Sequence, residues 1–238
     1  MSNRVLILDY SVDRSETALV QKYLRVSDDT AALFIENDDS FPAGLPSEGY
    51  THVIHTGSSL SITVPAPFTG TALSLCRAFA ERGTAQMGIC YGHQLICLAF
   101  CGYGAIRRCP AGLEAGWEDV RFSGEGPSIP GAGESEKIWQ SHFDEVIVLP
   151  PGSVIMAENG HSGIQAFFNR ELMLFGTQFH PEFDRDDGNR QFLHDRDLLE
   201  ASGLDADRII RDGPTVDCGS VFIGFFLDCF RPAERGDN

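Results

Sequence analysis

The sequence predicts an α/β fold: an open, mostly parallel sheet, mixed at one edge and flanked by helices. Short apolar runs of strand length alternate with segments of helical periodicity through the N-terminal part of the chain. Such βαβα alternation is the pattern of a doubly wound parallel sheet. From about residue 104 to 180 the pattern changes to closely spaced strands separated by Gly/Pro/Ser-rich turns, which supplies the mixed edge.

The elements follow in order. VLILD (5–9) is a short apolar run, as a strand buried on both faces requires. Residues 14–25 carry Ala18, Leu19 and Leu24 at roughly helical spacing, and AALFIE (31–36) and HVIH (52–55) are further strands. FTGTALSLCRAFAERG (68–83) is an amphipathic helix that Gly83 closes from the C′ position. AQMGI (85–89) is the next strand, followed by a turn at Cys90 and a helix from Gly92 to about Cys101. The later candidate strands are AIRRC, WEDVRF, KIWQS, EVIVL, VIMAE, IQAFF and LMLFGTQF. GEGPSIPGAGES (124–135) is an exposed connection, and NRQFLHDRDLLEASG (189–203) is a polar surface helix. SVFIGFFLDCF (220–230) is an apolar helix expected to dock on the sheet. No repeat or linker divides the sequence, so residues 1–238 are expected to form one domain.

Composition narrows the function. With 42% hydrophobic and 22% charged residues the chain has the make-up of an ordinary globular protein with ample core material. A formal net charge of −16 argues against nucleic acid and anionic membrane as partners, since both require basic patches. The apolar stretch in MSNRVLILDY is too short for a signal segment, and nothing elsewhere reaches transmembrane length, so a cytoplasmic location is expected. Cys76, Cys90, Cys97, Cys101, Cys109, Cys218 and Cys229 are odd in number and contain no CxxC pair, which indicates neither a disulfide framework nor a zinc ribbon. Cys97 and Cys101 sit among apolar helix residues as small hydrophobes.

One segment stands apart. In MGICYGHQ (87–94), Cys90 lies directly between a buried strand and a helix. The helix N-terminus stabilises a thiolate, and the bend pushes the side chain clear of the sheet. Gly88 and Gly92 remove Cβ atoms that would crowd the bend, as in the nucleophile elbow of GxSxG enzymes. Alone, GxCxG is as compatible with a core thiol as with catalysis. FGTQFHPEF (175–183) shifts the balance. Pro181 ends the strand, so His180 emerges at its carboxyl end, and Glu182 can orient one imidazole nitrogen while the other faces a thiol. Nucleophile, base and orienting acid are the parts of covalent catalysis.

GICYGHQ together with TQFHPE resembles the class I glutamine amidotransferases, which carry G-x-C-x-G-x-Q and, further along, H-P-E. WQSHFDEV (139–146) is similar to the family's S-H-x-D-x-V strand, and HVIHTGSS (52–59) stands where the family has its L-S-G-G-P oxyanion strand. The similarity is nearest to free-standing relatives of the GMP synthase glutaminase domain, and it implies a flavodoxin-like architecture. It also implies roles. Cys90 would attack the γ-carbonyl carbon, His180 would serve the leaving amine and then water, and Glu182 would orient His180. The amides of Gly57 and Tyr91 would hold the oxyanion. Gln94 would contact the substrate, and the segment Ser141, His142 and Phe143 would hold its α-amino and α-carboxylate groups.

The chain departs from the pattern at Thr56-Gly57-Ser58, which replaces Gly-Gly-Pro, and at His55, where a packed strand-end histidine is expected. His52, His93, His161 and His194 have no ligand-like spacing, so no metal and no cofactor are expected. Neither S-G-G-x-D-S nor G-x-x-x-x-G-K occurs. The expected activity is therefore hydrolysis of glutamine through a glutamyl thioester, with ammonia passing to a separate synthetase. A free-standing γ-glutamyl peptide or amide hydrolase with the same triad is the first alternative. A catalytically silent binding module is the second, and the intact triad argues against it.

Overall fold

A computed structural model describes residues 2–230. Its strands are β1 (Arg4–Asp9), β2 (Asp29–Phe34), β3 (His52–His55), β4 (Ala85–Ile89), β5 (Ile106–Arg108), β6 (Glu114–Phe122), β7 (Ser135–His142), β8 (Asp144–Val146), β9 (Val154–Glu158), β10 (Ala166–Asn169) and β11 (Leu174–Thr177). The helices are α1 (Glu16–Gln21), α2 (Thr69–Glu81), α3 (Tyr91–Cys101), α4 (Arg185–His194), α5 (Arg196–Ala201), α6 (Ala206–Ile209) and α7 (Gly224–Cys229).

Nine strands form one sheet in the order β2-β1-β3-β4-β11-β10-β9-β6-β7. The block β2-β1-β3-β4-β11 is parallel, and every pairing from β11 outward to β7 is antiparallel. The expected parallel sheet with a mixed edge is present, and β5 and β8 pair separately as a small antiparallel ribbon.

Strand alternation explains the layers. Val5 and Ile7 of β1 face one apolar cluster with Ile54, Met87, Phe175 and the more distant Phe222 and Phe226. Leu6 and Leu8 face the other, with Val53, Phe79, Leu95 and Ile96 from β3, α2 and α3. All of these are fully buried, which is why the strands are near-continuous apolar runs. A third, smaller cluster joins Trp117 and Trp139 of the antiparallel edge to Phe183, Phe192 and Leu199, the last two on α4 and α5.

The sequence boundaries for β3, β4 and β9 coincide with the observed ones, while of EVIVL (145–149) only Glu145 and Val146 lie in a strand, β8, which begins one residue earlier at Asp144. The expected helix 14–25 is shorter, spanning only α1. The expected single helix 189–203 breaks at Asp195 into α4 and α5, so that Phe192 and Leu199 can both reach the third cluster. The terminal apolar helix begins as a π turn over Gly219–Ile223 before α7. Gly83 follows α2 with φ +69°, the left-handed closure expected of it.

Candidate active site

The parallel block ends at one edge of the site, and β4 delivers Cys90 there. Cys90 has φ +48° and ψ −100°, a conformation that costs a non-glycine residue strain and survives only where its surroundings fix it. Backbone bonds do the fixing: Cys90 N–H to the Thr177 carbonyl at 2.8 Å, Gly92 N–H to Thr56 at 3.1 Å, and Gln94 N–H to Cys90 at 3.0 Å. The glycines are obligatory for steric reasons. A Cβ on Gly88 would lie 2.5 Å from the Gly92 backbone, and one on Gly92 would lie 2.1 Å from the His55 carbonyl oxygen.

His180 and Glu182 follow β11, the strand beside β4. Imidazole Nδ1 meets Glu182 Oε1 at 2.6 Å, and the His180 amide donates to the Trp139 carbonyl at 3.0 Å. The Trp139 ring stands edge-on to the imidazole with centroids 4.8 Å apart. The antiparallel edge thus braces a histidine that the parallel block delivers. Burial alone would push the His180 pKa down, but charge attraction and hydrogen bonding from Cys90, with a lesser contribution from Glu16, raise it overall. The raised pKa favours a proton on the His180 ring, beside the Cys90 sulfur.

The sequence motifs did not reveal Glu16. It opens α1, is buried, and has its carboxylate within 4.8 Å of the ligand atoms of both His180 and Glu182. Burial, then repulsion from Glu182, pushes the Glu16 carboxyl well above its ordinary range, while burial raises Glu182 to about 7. Two buried carboxyls so close cannot both ionise, so they share a proton. The proton belongs mainly to Glu16, which leaves Glu182 free to accept from His180. A glutamate in a mostly polar first turn is all that the sequence shows of this, and it carries no motif.

Gly57 sits against the imidazole: a Cβ there would be 2.7 Å from His180 Cε1. The Thr56–Gly92 bond ties this segment to the first turn of α3, where the Tyr91 amide lacks an acceptor one turn back. Gln94 donates to the Asp144 carbonyl at 2.8 Å and to Gln178 Oε1 at 3.1 Å, and Gln178 in turn points its amide at Cys90 Sγ, 3.6 Å away. Ser141, His142 and Phe143 line a cavity of about 240 Å³ with Cys90, Gln94, Arg108 and Asp144. Of the three, His142 turns its ring away to Glu114 at 2.8 Å.

Arg108 is absent from the motifs, and it pairs with Asp144, the Asp of the S-H-x-D-x-V match. The Arg108 guanidinium lies 4.1 Å over the Phe143 ring and 3.9 Å from Asp144 Oδ1, an oxygen with no hydrogen-bond partner among the described residues. A cation and an underused carboxylate lining the same cavity suit a zwitterion. His55 behaves as a packed residue, fully buried between the Tyr10 hydroxyl (3.1 Å) and Gln86 (3.2 Å), with burial lowering its pKa to about 4.

A family model for glutamine amidotransferase class-I matches residues 57–198, well over half of the chain. The chain belongs to that family. Among curated proteins it is similar to the GMP synthase [glutamine-hydrolyzing] of Clostridium novyi, with 33% identity over 127 residues that cover 53% of this chain and 24% of that protein. It is also similar to a protein named as one subunit of the GMP synthase [glutamine-hydrolyzing] of Halobacterium salinarum, with 34% identity over 110 residues that cover 45% of this chain and 57% of that one. The matched stretch thus spans about a quarter of the first relative and just over half of the second. Among solved structures, a glutamine amidotransferase from Thermotoga maritima superposes with a TM-score of 0.70 at 20% identity, covering 89% of this chain and 90% of that one. That likeness concerns the fold. Among the described residues no helix is long and apolar enough to cross a membrane.

Proposed function

We propose that this amidotransferase-family chain hydrolyses the side-chain amide of glutamine through a glutamyl thioester on Cys90 and releases ammonia to a separate synthetase. The observation that carries this reading is the strained Cys90 elbow facing a His180 whose pKa the thiol itself raises. Cys90 Sγ attacks the amide carbon, and the oxyanion that forms is met by the Gly57 and Tyr91 amides. The carbon–nitrogen bond then breaks, with ammonia leaving on the proton that His180 gives up. His180 next takes a proton from water, hydroxide attacks the thioester, and glutamate departs as the thiol regains its proton. Arg108 and Asp144 suit the α-carboxylate and α-amino groups at the far end of the cavity. The separate synthetase rests on relatives named as single subunits of a larger enzyme, such as the one from Halobacterium salinarum.

A second cavity favours another substrate of the same chemistry. A space of about 350 Å³ adjoins the His180 side of the site, lined by Ser11, Asp13, Glu16, Trp139, His180 and Phe183 among others. A leaving group bulkier than ammonia fits there, as γ-glutamyl peptide hydrolysis requires. Glutamate release from glutamine and from a γ-glutamyl dipeptide, by wild type and Cys90→Ala, separates the readings. Turnover of glutamine that rises when a synthetase is added supports the synthetase-linked role. Efficient dipeptide cleavage by the chain alone supports the hydrolase, and no release from either substrate removes both.

A further inference from the structure

We propose that Glu114, His142 and His161, with Cys109 as a reachable fourth donor, form a binding site for a divalent transition-metal ion of the zinc type. The four residues come from four segments: Cys109 follows β5, Glu114 opens β6, His142 ends β7, and His161 lies in the turn between β9 and β10. This is why their spacing along the sequence gives no sign of a site. One donor atom from each of Glu114, His142 and His161 lies within 4.8 Å of the others, and Glu114 and His142 are buried.

Two of the separations match a tetrahedral ion as they stand, and Cys109 must swing in from beside His161 to complete it. With metal–nitrogen and metal–oxygen bonds of about 2.0–2.1 Å and a metal–sulfur bond of about 2.3 Å, ligand atoms stand roughly 3.3 Å apart for N and O and roughly 3.5 Å for N and S. His161 Nδ1 is 3.4 Å from Glu114 Oε2 and 3.5 Å from Cys109 Sγ. His142 Nε2 and Glu114 Oε2 are closer, at 2.8 Å, the separation of a hydrogen bond. That hydrogen bond holds the edge in the metal-free chain, and a metal–nitrogen bond would take its place as the shared proton leaves to solvent. A thiol proton follows when Cys109 joins.

The surrounding groups are those that orient metal ligands. His142 Nδ1 donates to the Asp144 carbonyl at 3.1 Å, which fixes the tautomer that leaves Nε2 for a metal. Gln165 Nε2 donates to Glu114 Oε2 at 2.8 Å, and the Asn159 amide holds the other oxygen. Asn159 Oδ1 also accepts from the backbone of His161 and Ser162 at 3.0 and 2.9 Å, so the turn presenting His161 is preformed. The Cys109 amide donates to the Phe143 carbonyl at 2.8 Å. An ion here would clamp the back of the Ser141–Phe143 segment without touching Cys90.

Cobalt(II) titration of the full chain tests this, in wild type and in Cys90→Ala, which removes the reactive thiol. The expected result is one equivalent bound with the visible bands of tetrahedral cobalt, displaced by zinc and accompanied by proton release. His161 has a side chain 17% exposed, so His161→Ala should fold and should bind at least tenfold more weakly. Cys109→Ser should lose the thiolate-to-cobalt charge-transfer band and keep the tetrahedral bands. In a thermal melt, zinc should raise the Tm of wild type and Cys90→Ala and leave that of His161→Ala unchanged. No stoichiometric binding, or an unaltered cobalt spectrum in His161→Ala, overturns the site. A charge-transfer band that persists in Cys109→Ser overturns the part given to Cys109.

Discussion

Two buried histidine–carboxylate pairs in this molecule have nearly equal geometry and unlike chemistry. His180 meets Glu182 at 2.6 Å beside the parallel block, and His142 meets Glu114 at 2.8 Å on the antiparallel edge. The bond itself does not distinguish them. What does is the remaining nitrogen and the company each carboxylate keeps. His180 faces the Cys90 thiol, with a protonated Glu16 behind its carboxylate. His142 spends its other nitrogen on a backbone carbonyl, and amide donors saturate its carboxylate. A triad is thus specified by what surrounds a histidine and its acid, not by their contact.

Breaking the first pair should have the largest effect. Glu182→Gln keeps the shape but removes the charge and lets an NH2 group face Nδ1, fixing the wrong His180 tautomer, and kcat for glutamine should fall by about 10³–10⁴. Steady-state glutamate release measures this, with the far-UV spectrum expected to match wild type. A loss below tenfold would make Glu182 a packing residue, and the two pairs would then be equivalent.

Breaking the second pair should move stability instead. Glu114→Gln strands donors of His142 and Asn159, and disrupting a buried ion pair costs about 3 kcal/mol. For a chain of this size that lowers Tm by roughly 6–12 °C. With chelator present, kcat should stay within about threefold of wild type. A kcat drop comparable to that of Glu182→Gln would place Glu114 in the reaction.

What was legible in the sequence follows the same division. The elbow, the H-P-E strand end and the boundaries of β3 and β4 are local patterns, because a buried parallel strand and a sharp turn each impose residue types on contiguous positions. Glu16, Arg108 and the Glu114–His142–His161 cluster were not legible. Each acts across the sheet, through partners far away in the sequence, and no spacing rule links them. The break between α4 and α5 was hidden likewise, since it answers to packing of Phe192 and Leu199 on Trp139 and Trp117.

Glu16 sharpens the comparison through pH. Burial raises Glu182 to about 7 and pushes Glu16 well above its ordinary range, so the folded chain holds protons there that the unfolded chain releases near 4.5. Folded-state pKa values above the unfolded ones mean that this pair's contribution is full below about pH 4.5 and is lost as pH rises toward 7. Glu16→Gln mimics the protonated acid at every pH. The fall in Tm from pH 5 to pH 7.5 should therefore be smaller in Glu16→Gln than in wild type, by about 1–2 kcal/mol in stability. The difference between the two proteins isolates the pair from the general repulsion of a chain with net charge −16. Equal slopes would mean that Glu16 carries no shared proton.

The smallest expected effect concerns Arg108, which touches neither pair directly. Its side chain is 59% exposed, its guanidinium rests on Phe143, and Asp144 lies 3.9 Å away, so its hold on a substrate carboxylate is screened by water. A charge-assisted contact of that kind is worth about 1 kcal/mol, which is a factor of about five in affinity. Arg108→Ala should therefore raise KM for glutamine roughly fivefold and leave kcat nearly unchanged, because the contact is as strong in the ground state as in the transition state. Arg108→Lys keeps the charge without the planar stack on Phe143 and should fall between the two. An equal loss in kcat would mean that Arg108 positions the amide for attack. The recognition end and the Cys90–His180 end of the cavity would then act as one unit.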